Sequence, residues 1–89
     1  MRMQERIAAR LQAALDPVTL DVIDDSGKHA GHAGARPGGE THYSVAVVSA
    51  AFSGCNRVQR HRLVYDALAA EIADGVHALA IDARAPGER

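Results

Sequence analysis

Cysteine is nearly absent from this chain: Cys55 is the only one in 89 residues. An internal disulfide is therefore excluded, and so is a CxxC pair for zinc or dithiol exchange, so a reducing compartment is the expectation. Charge of either sign is not in excess, with ten basic against eleven acidic residues and a formal net charge of -1. No global positive field draws the chain to nucleic acid or to a membrane surface, and any such contact must use a local patch. A long apolar run is missing too, and the opening MRMQERIAARLQAAL spreads charge along its length. It reads as mature structure in a cytoplasmic protein without a membrane partner. The chain has no G-x-S-x-G, Walker loop, HExxH or zinc-knuckle pattern, and Ser26, Ser44, Ser49 and Ser53 have no evident base and orienter. Catalysis finds little support, and the expectation is a non-enzymatic protein.

With 47% hydrophobic positions, the chain suffices for one small domain over residues 1–89, which buries roughly 60 to 70% of its unfolded surface. Its spine is Arg57 to Ile81, where Val58, His61, Val64, Tyr65, Leu68 and Ile72 recur at three- and four-residue steps. That period predicts a helix with those residues toward the core and Arg57, Arg60, Arg62, Asp66 and Glu71 largely away from it, with a break possible within it. Asp74-Gly75 ends the helix, because glycine accepts the left-handed backbone needed there, and His77, Leu79 and Ile81 alternate on one face of a following strand.

Upstream, Ile7, Leu11, Ala14 and Leu15 mark one face of a helix from about Gln4 to Leu15, ended by Pro17. A short strand around Leu20 and Val22 follows, and then a long glycine-rich loop between about Asp24 and Glu40. Thr41 to Ser49 reads as a second strand, antiparallel to the first, with Tyr43, Val45 and Val47 on one face. Phe52 anchors the next turn, and Asn56 caps the long helix. Residues 1–3 and 84–89 are expected to fray. The order αββαβ gives an α+β fold, a three-stranded sheet with helices packed on one face.

Five histidines are the residues most able to carry chemistry. His29 and His32 lie in the glycine-rich loop, His42 begins the second strand, His61 is on the helix stripe and His77 opens the third strand. His61 reads as a core histidine and His42 as a capping side chain, whereas His77 and the loop pair can converge from different elements on one surface metal. They provide about two nitrogens, where a structural zinc wants four ligands and a catalytic zinc usually three, so a partner must supply the rest. Arg57, Arg60 and Arg62 crowd the start of the long helix, where they can meet phosphate or simply be solvated. Gly31 to Gly34 matches the GxxG loop of KH domains but lies between strands rather than helices. Cys55 reads as structural or incidental rather than as a nucleophile, since neighbouring arginines provide no proton shuttle.

Taken together, DDSGKHAGH, GGETHYSVAVVSAAFSG, VQRHRLVYDALAAEIADG and VHALAI resemble the BolA-like family in order and spacing, over about Leu15 to Asp82. The resemblance implies a KH-like fold and a partnership with a monothiol glutaredoxin, the pair holding a bridging [2Fe–2S] cluster. It places the family's cluster histidine on His77 and the variable second ligand on His29, with His32 as the alternative. The glutaredoxin cysteine and a glutathione thiol would complete four terminal ligands, and histidine in place of thiolate is known chemistry for such clusters. The isolated chain is then expected to hold no cluster and to be a monomer or weak homodimer. Family members are also described as DNA-binding transcription regulators, which here would use Arg57, Arg60, Arg62 and the strand-connecting loop. The slightly acidic charge and a tail without an aromatic residue after its proline weigh against DNA more than against the cluster.

Overall fold

The computed structural model describes residues 2–25 and 42–88. His29, His32 and the Gly31–Gly34 match fall outside the described residues. Within them the elements run α1 (Met3–Leu15), β1 (Thr19–Asp24), β2 (His42–Val48), a 3-10 turn (Ala50–Phe52), α2 (Arg57–Ala67), α3 (Ala69–Ala73) and β3 (Ala78–Arg84). The strands form one sheet in the order β1-β2-β3, β1 antiparallel and β3 parallel to the central β2. The α+β architecture expected from the sequence is the one observed.

One face of the sheet is built by Tyr43, Val45 and Val47, which are registered with Leu79, Ile81 and Ala83 on one side and with Asp24, Val22 and Leu20 on the other. These central residues join Ile7, Leu11 and Leu15 of α1, Phe52, Val64 and Leu68 in a single core. Helices cover that face only, and on the other Asp21, Ile23, Ala46, Ala80 and Asp82 are exposed. Ala14, expected on the packed face of α1, is exposed. α1 closes at Asp16 in the left-handed region (φ 44°), since Pro17 prevents continuation. The buried Ser49 hydroxyl then donates to the Leu15 carbonyl at 2.5 Å, tying the helix end to the exit of β2.

The long helical stretch contains the break that its sequence allowed, and it departs from expectation in which side it buries. It breaks at Leu68 (φ -104°, ψ 17°), whose N–H is shared between the carbonyls of Val64 and Tyr65. Its core side is also rotated: Val64, Leu68 and Glu71 are buried, while Val58 and Tyr65 are 64% and 43% exposed. At about 100° per residue, taking the two helices as continuous, Val64, Leu68 and Glu71 fall within about 60° of one another, and Val58 and Tyr65 lie roughly 90 to 110° from their centre. The rotation is possible because Glu71, expected in solvent, enters the interior with its charge matched. Arg6 Nη2 of α1 reaches Glu71 Oε2 at 2.9 Å, and Arg10 Nε approaches at 3.4 Å. A carboxylate only 1% exposed is tolerated where cations and hydrogen bonds meet it.

The tail does not begin to fray at residue 84. Arg84 closes β3, Ala85 is buried, and a turn through Pro86-Gly87 brings Glu88 back against Arg60.

Candidate functional site

His77 is positioned from both sides. Before it, Gly75 takes φ 127°, a conformation costly for side-chain-bearing residues, and Val76 is buried with its N–H on the Glu71 carbonyl. After it, Ala78 enters the sheet opposite His42. His77 is therefore an exposed imidazole held one residue outside a paired strand.

The same end of the sheet anchors both ends of the segment that carries the other two candidate histidines. The described chain stops at Asp25 and resumes at His42, and the Asp25 N–H donates to the His42 carbonyl at 2.8 Å. Asp25 also accepts from the Ser44 hydroxyl. Asp25 and His42, the described residues on either side of 26–41, are thus hydrogen-bonded neighbours, and Ala78, registered with the half-buried His42, directly follows His77. The register places His42 next to the candidate ligand, a relation not visible in the sequence. Among the described residues no three His, Cys, Asp or Glu side chains come together to hold a metal ion. What they present at this end is a partial donor set.

The arginines lie elsewhere. α2 begins with a complete capping box, in which Asn56 Oδ1 accepts from the Gln59 N–H and Gln59 Oε1 from the Asn56 N–H, both at 2.8 Å. Arg57 and Arg62 are exposed along this helix, with the half-buried His61 between them. Arg60 differs from both in its burial and its partners. Its side chain is 15% exposed, and its Nε donates to the Cys55 carbonyl at 2.9 Å and its Nη1 to that of Ala83 at 3.2 Å. The remaining edge of the guanidinium meets the Glu88 carboxylate, with Nη2 to Oε2 at 2.8 Å. This bond, with the Ala85 N–H, holds the Glu88 pKa down at about 2. The three-arginine patch thus reduces to Arg57 and Arg62. Glu88 gave no signal beforehand, since a tail with proline and glycine carries no periodicity to read. Cys55 is half-exposed and directs its thiol at the Ala51 carbonyl, 3.7 Å away.

His77 precedes β3 at one end, and Ala83, which Arg60 touches, lies at the other. Six residues of extended chain separate them by roughly 20 Å. The histidine end and the cationic end are separate surfaces.

The family described as BolA-like protein matches residues 11–88. Human BolA-like protein 1 is 48% identical over 86 residues, covering 97% of this chain. SufE-like protein 1 of Arabidopsis thaliana is 49% identical over 87 residues, covering 93%. The chain spans 60% of the first of these proteins and 24% of the second. The DNA-binding transcriptional regulator BolA of Escherichia coli is 43% identical over 81 residues, covering 91% of this chain and 73% of that protein. Among solved structures, the BolA domain of SufE1 from Arabidopsis thaliana superposes with a TM-score of 0.86 at 48% identity, covering 97% of this chain and 94% of that one.

Proposed function

The chain belongs to the BolA-like protein family, and we propose that it is a non-enzymatic partner of a monothiol glutaredoxin, sharing with it a bridging [2Fe–2S] cluster. In this reading His77 is one ligand and His29, or His32 in its place, is the other. The observation that supports it best is the placement of His77, exposed and fixed at a strand start, at the sheet end where Asp25 and His42, the described residues flanking 26–41, meet.

The donor chemistry fits. A two-iron cluster takes four terminal ligands, and imidazole can replace thiolate on one iron, which raises the reduction potential. This chain, with one cysteine at the far side of α2, suits the nitrogen half of such a sphere. The glutaredoxin cysteine and a glutathione thiol are the sulfur half. A cluster held in this way is cargo, and it gives the pair a role in iron–sulfur assembly, trafficking or iron and redox sensing in a reducing compartment such as the cytoplasm. The chain's own contribution is positional: Val76 and the Ala78–His42 pairing hold the backbone on either side of His77 in place, so little backbone ordering entropy is lost when it coordinates. Mixing the protein with cluster-loaded glutaredoxin and glutathione should give a heterodimer whose visible spectrum differs from that of the glutaredoxin homodimer. An unchanged spectrum with no heterodimer would end this reading.

A second reading, a DNA-binding transcriptional regulator, draws on the name of the Escherichia coli relative and on the exposure of Arg57 and Arg62. It stands without Arg60, which is committed to Glu88 and two carbonyls.

A further inference from the structure

At the C-terminal end of β3 a cleft of about 390 Å3 opens between the first turns of α2, the strand and the tail, walled by Arg57, Arg60, His61, Asp82, Arg84 and Glu88. Its size is that of a small-ligand site. Arg84 is already matched within the strand, its Nε 2.9 Å from Asp82 Oδ1 and its Nη2 3.1 Å from Oδ2. Arg60 is different, because two backbone carbonyls from separate elements fix its guanidinium from behind and leave one edge facing the cleft. An arginine fixed in this manner presents a two-pronged donor suited to a carboxylate or a phosphate.

That edge is filled from within the molecule. Gly87 takes φ 86°, the Glu88 N–H donates to the Ala85 carbonyl at 3.1 Å, and Glu88 Oε1 accepts the Ala85 N–H at 3.1 Å. This small turn delivers the carboxylate to Arg60 on the last described residue of the chain. Arg57 and His61 line the same cleft and take part in none of its hydrogen bonds.

We propose that the cleft is a binding site for a compact phosphate-bearing small molecule, with Glu88 as an intramolecular stand-in that holds the anion's place on Arg60 until the ligand displaces it. The ligand's terminal phosphate takes both donors on the open edge of Arg60, and Arg57 and His61 add to its hold. A terminal phosphate carries more charge than a carboxylate, so it competes with a tethered glutamate where a monoanionic backbone diester does so poorly. The site is at the far end of β3 from His77, and it stands or falls independently of the cluster reading.

The test is an NMR titration of the full chain with inorganic pyrophosphate at constant ionic strength, following backbone amides and arginine Nε–H groups. In the wild type, saturable shifts should be confined to Arg57, Arg60, His61 and residues 83–88. Glu88→Gln removes the competing charge and should tighten binding roughly two- to fivefold, the range expected for loss of a partly exposed ion pair. Arg57→Gln should weaken it. An equimolar sulfate arm should give a smaller response, and a short DNA duplex should leave the Arg60 Nε–H signal in place. The proposal is overturned if pyrophosphate gives no saturable Arg60 shift in the wild type, an observation that needs no variant. It is equally overturned if Glu88→Gln binds no more tightly than wild type, or if DNA moves the Arg60 signal and pyrophosphate does not.

Discussion

Replacing Leu68 with alanine tests the packing on which both ends of β3 depend. Leu68 is fully buried, and it stands where α2 gives way to α3. Its core companions come from several elements, including Ile7 and Leu11 of α1 and Val45 of β2, so the cavity cannot close by moving any one of them. The backbone there is not helical, so alanine's helix propensity offers no compensation. Leu-to-Ala losses in cores run about 2 to 5 kcal/mol, and a site with poor means of collapse belongs to the upper part, roughly 3 to 5 kcal/mol. For a domain of this size each kcal/mol moves the thermal midpoint by about 4 to 8 °C, which puts the expected fall at roughly 12 to 40 °C. Val58→Ala is the control: it lies on the helix face that points to solvent and should change stability by no more than about 0.5 kcal/mol. Thermal and urea unfolding followed by circular dichroism measure both. Similar losses for the two variants would refute the rotated register of α2.

Other expectations follow from single contacts. Ser49→Ala removes the hydroxyl that satisfies the Leu15 carbonyl and should cost about 1 to 3 kcal/mol in urea unfolding. The Glu88 carboxyl, lowered from its ordinary 4.5 to about 2 chiefly by the Arg60 hydrogen bond, should titrate near that lower value by carboxyl-carbon NMR. Because the folded value is the lower one, the latch adds stability above about pH 4.5 and loses it as pH falls through about 2. A midpoint near 4.5 would show that the tail is not held. If DNA is bound through Arg57 and Arg62, two neutralised phosphates give a slope of about -1.8 in log affinity against log salt, and the double alanine variant should lose that slope.

Features decided within a few residues were legible in the sequence. Pro17 marked the end of α1, Asn56 caps α2 as expected, and Gly75 occupies the positive φ expected of it. The strand start beside His77 was legible for the same reason, since a glycine followed by alternating apolar residues announces one. What could not be read depends on partners far along the chain. Val58 and Tyr65 looked like core because the apolar pattern weighs residue type alone, whereas the helix turns so that Glu71 meets Arg6, 65 positions away. Arg60 was grouped with Arg57 and Arg62 by proximity in sequence, and a glutamate 28 residues later separates it from them. The adjacency of His42 to the His77 end is a consequence of sheet register, which no local pattern encodes.

Whether His77 is a cluster ligand is tested by the visible and near-ultraviolet dichroism of the reconstituted heterodimer. Wild-type protein, His77→Ala and His29→Ala are each mixed with the same cluster-loaded monothiol glutaredoxin and glutathione. His77 is set by Val76 and the Ala78–His42 pairing and has no described substitute at its position, while His29 has His32 three residues away in the sequence. The mixed nitrogen and sulfur spectrum should therefore be abolished by His77→Ala and only weakened by His29→Ala. A His77→Ala protein that keeps the heterodimer's spectrum while His29→Ala destroys it would contradict the assignment.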